Sequence, residues 1–119
     1  MIIGVGIDII EIERVKKAVS KNHFKASVFT EHEQSYCESR GKNSAASYAA
    51  RFAAKEAFFK AMGTGIFTKL TDVEIINDER GAPHINLRGR AKEKISAKIS
   101  VSLSHSKEFA TAICIIENI

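Results

Sequence analysis

The chain has 119 residues, 45% of them hydrophobic, and one proline, which suits a single domain over residues 1–119 with a real core and excludes a disordered tail. Its 18 basic and 14 acidic residues give a net charge of +4, which favours an anionic partner of any class. Cys37 and Cys114 match no disulfide or metal spacing, and no segment is long enough to span a membrane, so we expect a cytoplasmic protein with free thiols.

The chain opens on a predicted strand. Four apolar residues alternate with two glycines and an acid, and this period of two is typical of a strand with one face buried and the other nearly stripped of side chains. The apolar residues are Ile3, Val5, Ile7 and Ile9, and the other face carries Gly4, Gly6 and Asp8.

From Ile10 the spacing becomes helical. One predicted face carries apolar residues, and another carries Arg14, Lys17 and Lys21. The first helix is therefore predicted to have a basic stripe. That stripe fits either a solvated face or a surface for an acidic helical partner.

The remaining elements predict an α+β domain. Thr30 and Glu33 have the spacing of a capping box, which predicts a short helix that ends near Gly41. A long helix should run from residue 43 or 44 to Met62, with Gly63 as its C-terminal cap. Further elements are predicted in this order: strands over 72–76 and 84–87, a helix over 88–99, and strands over 101–105 and 109–117.

Two charged residues of the long helix, Glu56 and Lys60, share an arc with its alanines, whereas Arg51 and Lys55 project to the other side. A charge on a packed face needs a partner, because an unpaired buried charge is costly. The helix alone leaves two interpretations open: a mutual ion pair between Glu56 and Lys60, or a site for a metal and a ligand.

Asp8 ends the predicted first strand, and the glycines on its face would let a bulky ligand approach the backbone. Asp8 and Glu11 also have the spacing of a helix cap, and the local pattern favours the cap over a metal ligand. His105, at a strand end, could face a cleft or simply be solvated.

Three segments together resemble the bacterial holo-acyl-carrier-protein synthases of the phosphopantetheinyl transferase superfamily. They are residues 3–9 with Arg14, residues 52–57 with Lys60, and residues 102–106. The resemblance spans nearly the whole chain. It implies a curved antiparallel sheet packed against one long helix, and a homotrimer with sites between subunits.

The resemblance also implies the activity, which is Mg²⁺-dependent transfer of the phosphopantetheine arm of coenzyme A to a serine of an acidic acyl carrier protein. Adenosine 3′,5′-bisphosphate would leave, and Lys60 would stabilise the phosphate oxygens. The base that deprotonates the serine stays open between Glu56 and a coordinated water.

The site residues carried over fall into three groups. Asp8 and Glu56 would hold magnesium, which reverses the local preference for a cap at Asp8, and Glu56 and Lys60 would be catalytic. Coenzyme A contacts are implied for Arg51, Lys55, Lys60, Gly63, Gly65, Pro83, His105 and Ser106. The carrier protein would dock on Arg14, Lys17 and Lys21.

Two alternative functions are weighed against this one. The first is a small basic nucleic-acid-binding module, which the charge would suit, although no aromatics interleave with the basic residues. The second is a non-catalytic interaction domain in which Glu56 and Lys60 pair only with each other. We therefore expect neither nucleic acid nor membrane among the partners.

Overall fold

The computed structural model describes residues 1–118. Its strands are β1 (Ile2–Glu11), β2 (Val73–Asn77), β3 (Pro83–Leu87), β4 (Lys98–His105) and β5 (Phe109–Glu117). Its helices are α1 (Ile12–Val19), α2 (Asn22–Val28), α3 (Glu31–Glu38), α4 (Ser44–Met62) and α5 (Gly89–Lys94). Two 3₁₀ turns cover Gly41–Asn43 and Leu70–Asp72.

The predicted α+β class, with antiparallel strands against one long helix, is confirmed. Strands β1, β5 and β4 form a three-stranded antiparallel sheet in that order, and β2 and β3 form a separate hairpin. Helix α4 packs along β1 and β5, and it ends at Gly63 in the left-handed conformation, as predicted. None of the helices within residues 1–118 is long and apolar enough to cross a membrane.

The prediction that the apolar face of β1 is buried in the chain's own core is wrong. Its four side chains, Ile3, Val5, Ile7 and Ile9, are 55–66% exposed. The opposite face packs on α4, where the strand and the helix backbone approach so closely that only glycine fits. A Cβ atom at Gly6 would overlap the carbonyl oxygen of Ala57 and lie 2.7 Å from the amide nitrogen of Ala61.

This contact predicts that Gly6→Ala lowers the free energy of unfolding by about 3 kcal/mol, because a methyl group there overpacks two backbones. The matched control is Gly41→Ala, where an added Cβ meets nothing within 4 Å. The control should lose about 1 kcal/mol from the positive φ alone. Urea unfolding of both variants checks the difference, and equal losses would contradict a steric role for Gly6.

The predicted capping box is confirmed, and its acid has a second partner. The Thr30 amide donates to the Glu33 carboxylate at 2.9 Å, and the Glu33 amide donates to the Thr30 hydroxyl at 3.2 Å. The Lys55 ammonium donates to Glu33 Oε1 at 2.9 Å, and both side chains of this ion pair are completely buried. The pair joins α3 to α4.

The side of α4 that carries Arg51 and Lys55 is packed as well, so both side chains are buried. The other two Lys55 donors bind the carbonyl oxygens of Leu70 and Val73, each at 2.9 Å. With no exposed surface and every donor satisfied, Lys55 could contact coenzyme A only if the ion pair opened. We assign it to the core.

Two other segments differ from the prediction. The helix predicted over 88–99 ends at Lys94, because β4 begins at Lys98 and pairs with β5. The half-buried side chains of Ile99, Val101 and Leu103 alternate along β4, so period-two pairing overrides the helical spacing. Lys21 lies beyond α1, as the residue before α2, so the basic stripe crosses two helices.

Candidate active site

A cleft of about 540 Å³ beside α4 brings together Asp8, Glu56 and Arg14. Asp8 reaches it from β1, where the strand is held by a hydrogen bond of 2.7 Å from the Thr111 hydroxyl to the Asp8 carbonyl. Glu56 reaches it from α4 and is half-buried. Three aromatic residues are also part of its lining: Phe24, Phe52 and Phe109.

Asp8 is not a helix cap, so the local prediction is wrong at this point. Strand β1 continues to Glu11, which pairs with Phe109 and stands immediately before α1. No side-chain cap hydrogen bond forms at that helix start. The Asp8 carboxylate is therefore available to groups in the cleft.

The charges of the cleft are arranged around Asp8. The Lys60 ammonium lies 3.1 Å from Asp8 Oδ1 and also donates to the Ile7 carbonyl at 3.1 Å. Within residues 1–118, no ion pair joins Lys60 to Glu56, so the mutual pair left open by the helix pattern is not formed. Burial raises the pKa of Glu56, the negative charge of Asp8 raises it further, and Lys60 partly offsets both.

Two carboxylates that repel each other across a half-buried cleft are a suitable place for a cation. Residues 1–118 contain no cluster of three or more His, Cys, Asp or Glu side chains that could enclose a metal. The two carboxylates of Asp8 and Glu56 are a donor set of the kind that Mg²⁺ commonly uses, since this ion binds one or two carboxylates and completes its ligands with phosphate and water.

A second cleft, of about 250 Å³, brings together three other predicted residues: Arg51, Pro83 and His105. The Arg51 guanidinium is held by side chains of the same cleft. Its Nη1 donates to the Ser47 hydroxyl at 3.0 Å, its Nη2 donates to Asn77 Oδ1, and its Cζ lies 4.2 Å from the centre of the Tyr36 ring. This cleft is cationic, since Arg40 also lines it.

The two clefts open on different sides of α4. Arg51 and Glu56 are five residues apart, which places them about 140° apart around the helix axis. The structure thus assembles the predicted residues in two groups and does not bring both groups into one cleft.

The other predicted site residues lie outside both clefts. Gly63 and Gly65 adopt positive φ angles of 73° and 70°, which explains glycine at the exit of α4. The Ser106 hydroxyl accepts a hydrogen bond of 3.2 Å from the Phe109 amide in the β4–β5 turn. Lys17 and Lys21 are exposed.

Several cleft residues were not predicted from the sequence. Tyr36 lies in α3, Ser47 lies in α4, and Arg40 lies between these helices. Asn77 is the last residue of β2. In the first cleft, Phe24 and Phe109 come from α2 and β5. These residues meet only through the tertiary fold, so no local pattern marks them.

Comparison with known proteins identifies the family. The model of the 4′-phosphopantetheinyl transferase superfamily matches residues 4–114. The holo-[acyl-carrier-protein] synthase of Fusobacterium nucleatum is 45% identical, covering 98% of this chain and 99% of its own length. That of Clostridium tetani is 50% identical, covering 98% of this chain and 97% of its own.

Solved structures agree with these relatives. A holo-(acyl-carrier-protein) synthase from Bacillus anthracis, in complex with CoA (3′,5′-ADP), superposes with a TM-score of 0.85 at 38% identity, covering 100% of this chain and 99% of its own. The Helicobacter pylori enzyme in complex with coenzyme A gives 0.83 at 31% identity, covering 95% of this chain and 99% of its own. The resemblance inferred from three sequence motifs is confirmed, and the chain belongs to the 4′-phosphopantetheinyl transferase superfamily.

Proposed function

We propose that this chain transfers the 4′-phosphopantetheine arm of coenzyme A to a serine of an apo acyl carrier protein, with Asp8 and Glu56 holding Mg²⁺. The observation that carries the proposal is the meeting of these two carboxylates, far apart in the sequence, in one cleft. The relatives that match this chain over nearly their whole length are holo-[acyl-carrier-protein] synthases, which supports the same reaction.

The chain's own residues supply binding and charge. The Lys60 ammonium, 57% exposed and already at Asp8, can turn to a phosphate oxygen and stabilise the charge that develops during transfer. When bound at Asp8 and Glu56, Mg²⁺ would supply Lewis-acid neutralisation of the phosphate oxygens. Glu56, with its pKa raised by burial and by Asp8, is a candidate to accept the proton of the carrier serine.

Arg14 is positioned to guide the carrier protein. It is exposed at the rim of the Asp8 cleft, and Lys17 and Lys21 continue the positive charge away from it. An acidic helical partner would be drawn to this surface with its serine toward the two carboxylates. The buried free thiols of Cys37 and Cys114 suit a reducing, cytoplasmic setting.

We also propose that the active form is a homotrimer in which one subunit supplies the Asp8 cleft and its neighbour supplies the Arg51 cleft. The separation of the two clefts around α4 supports this arrangement. So does the exposed apolar face of β1, which Ile113 of β5 extends beside Ile7. A contiguous apolar patch of this kind is typical of a protein–protein interface.

The interface proposal predicts that Ile7→Asp converts the assembly to monomers and abolishes transfer, because a carboxylate cannot be buried there without a partner. Ile66→Asp is the matched control, since Ile66 is equally exposed but lies after α4. Size-exclusion chromatography with light scattering measures the mass. A fully active Ile7→Asp monomer would rule out the shared site.

The function itself is tested by mixing the protein with apo carrier protein, coenzyme A and Mg²⁺. Mass spectrometry should detect the added arm on the carrier serine, and EDTA should prevent its addition. A salt-dependent shift of oligonucleotides without any modified carrier would instead favour a nucleic-acid-binding module.

A further inference from the structure

The Arg51 guanidinium is buried yet incompletely paired. The residue is only 3% exposed, and its Nε is a buried donor without a hydrogen-bond partner within residues 1–118. An unsatisfied donor of this kind in a native fold needs an explanation, and a ligand or a water is the usual one. The guanidinium borders the second cleft, so a ligand there would meet a cation.

The ring of Tyr36 is the aromatic group against this cation. The Arg51 Cζ lies 4.2 Å from the ring centre, and the Cζ of Arg40 lies 5.6 Å from it. The contact between Tyr36 and Arg51 is made by the face of the ring. A ring in this position attracts both guanidiniums and limits the directions in which Arg51 can point.

We propose that Tyr36 is a positioning residue for coenzyme A, an inference that rests on the proposed function. Its ring keeps the Arg51 guanidinium at the second cleft, together with the Ser47 and Asn77 hydrogen bonds, so that the remaining donors can bind an anionic phosphate group. Arg40, exposed on the same ring, adds a second positive charge at the cleft.

The test compares Tyr36→Leu with Tyr36→Phe in steady-state transfer assays with varied coenzyme A. Tyr36→Leu removes the ring and should raise the KM for coenzyme A about 5- to 30-fold with kcat unchanged, as expected from loss of a cation–π contact. Tyr36→Phe keeps the ring and should preserve the wild-type KM. If Tyr36→Leu does not fold, Tyr36→Met replaces it with the same expectation.

Arg51→Ala tests whether Tyr36 acts on coenzyme A binding through Arg51. In that background, Tyr36→Leu should cause no further rise in KM, because the cation that the ring positions is gone. A wild-type KM in Tyr36→Leu, or equal rises in the Leu and Phe variants, would overturn the positioning role. If Arg51→Ala itself leaves the KM unchanged, the placement of coenzyme A in this cleft is wrong, which is a failure of the proposed function and not of Tyr36 alone.

Discussion

Replacing Glu56 by glutamine is expected to lower the rate of phosphopantetheine transfer by about 10²- to 10³-fold, the cost of losing one group that stabilises developing charge in an active site. Glutamine preserves the size of the side chain but carries no charge to hold Mg²⁺ beside Asp8. The rate is measured by the appearance of modified carrier protein at saturating coenzyme A.

The fold of Glu56→Gln should survive. The pKa of Glu56 is raised in the folded chain, so its ionised form opposes folding above that pKa, and removing the charge removes this opposition. At neutral pH the variant should therefore melt at or above the wild-type temperature. Glu13 is an exposed acid on α1, so Glu13→Gln is the control that should change neither the transfer rate nor the melting temperature. Wild-type transfer by Glu56→Gln would contradict the proposed role of Glu56 as a metal ligand.

Lys55→Met should lower the free energy of unfolding by about 3–5 kcal/mol, because it leaves the Glu33 carboxylate buried without its charged partner. Burial lowers the pKa of Lys55, and the charge of Glu33 partly restores it, so the ammonium depends on its ion pair with Glu33. Urea or guanidinium unfolding at pH 7 measures the loss.

The double variant Glu33→Gln/Lys55→Met is the matched control, and it should recover much of the lost stability because no charge stays buried. Coenzyme A binding by the Lys55→Met variant separates a role of Lys55 in the core from a direct contact with coenzyme A. A stable Lys55→Met variant that binds coenzyme A poorly would restore the direct contact implied by the family resemblance and would contradict its assignment to the core.

Local patterns were sufficient for the elements whose signals lie within a few residues. The capping box at Thr30 and Glu33 and the glycine end of α4 are short-range chemistry, and both are confirmed. The prediction of which face of β1 is buried was wrong. Alternation shows that a strand has two different faces but not which of them meets the helix. That choice depends on the close approach of the backbone at Ala57 and Ala61.

For the candidate site too, the sequence predicted some contacts correctly and missed those made by residues distant in the chain. Family motifs paired Asp8 with Glu56, and the structure places them in one cleft. The same motifs treated Lys55 as a ligand contact, although the partner that buries it, Glu33, lies outside all three motifs. Helical spacing left open an ion pair between Lys60 and Glu56, whereas the ion pair that Lys60 forms is with Asp8 on β1.

The separation of the clefts could be predicted only in part. Arg51 and Glu56 lie on one predicted helix, and their angular separation follows from helix geometry. The surroundings of Arg51 come from β2, β3 and β4 as well as from Tyr36, so they require the assembled fold. Sequence alone therefore indicated which residues matter but not that they form two groups.

Complementation between inactive variants tests most directly whether the two clefts of neighbouring subunits form one site. Glu56→Gln disables the first cleft, and the double variant Arg51→Ala/His105→Ala disables the second; the two chains are co-expressed with different tags and purified as mixed assemblies. Every trimer that contains both chains has one of its three shared sites with both clefts intact, so about one third of wild-type activity should return. Activity no greater than that of the separate variants would contradict a site completed by a second subunit.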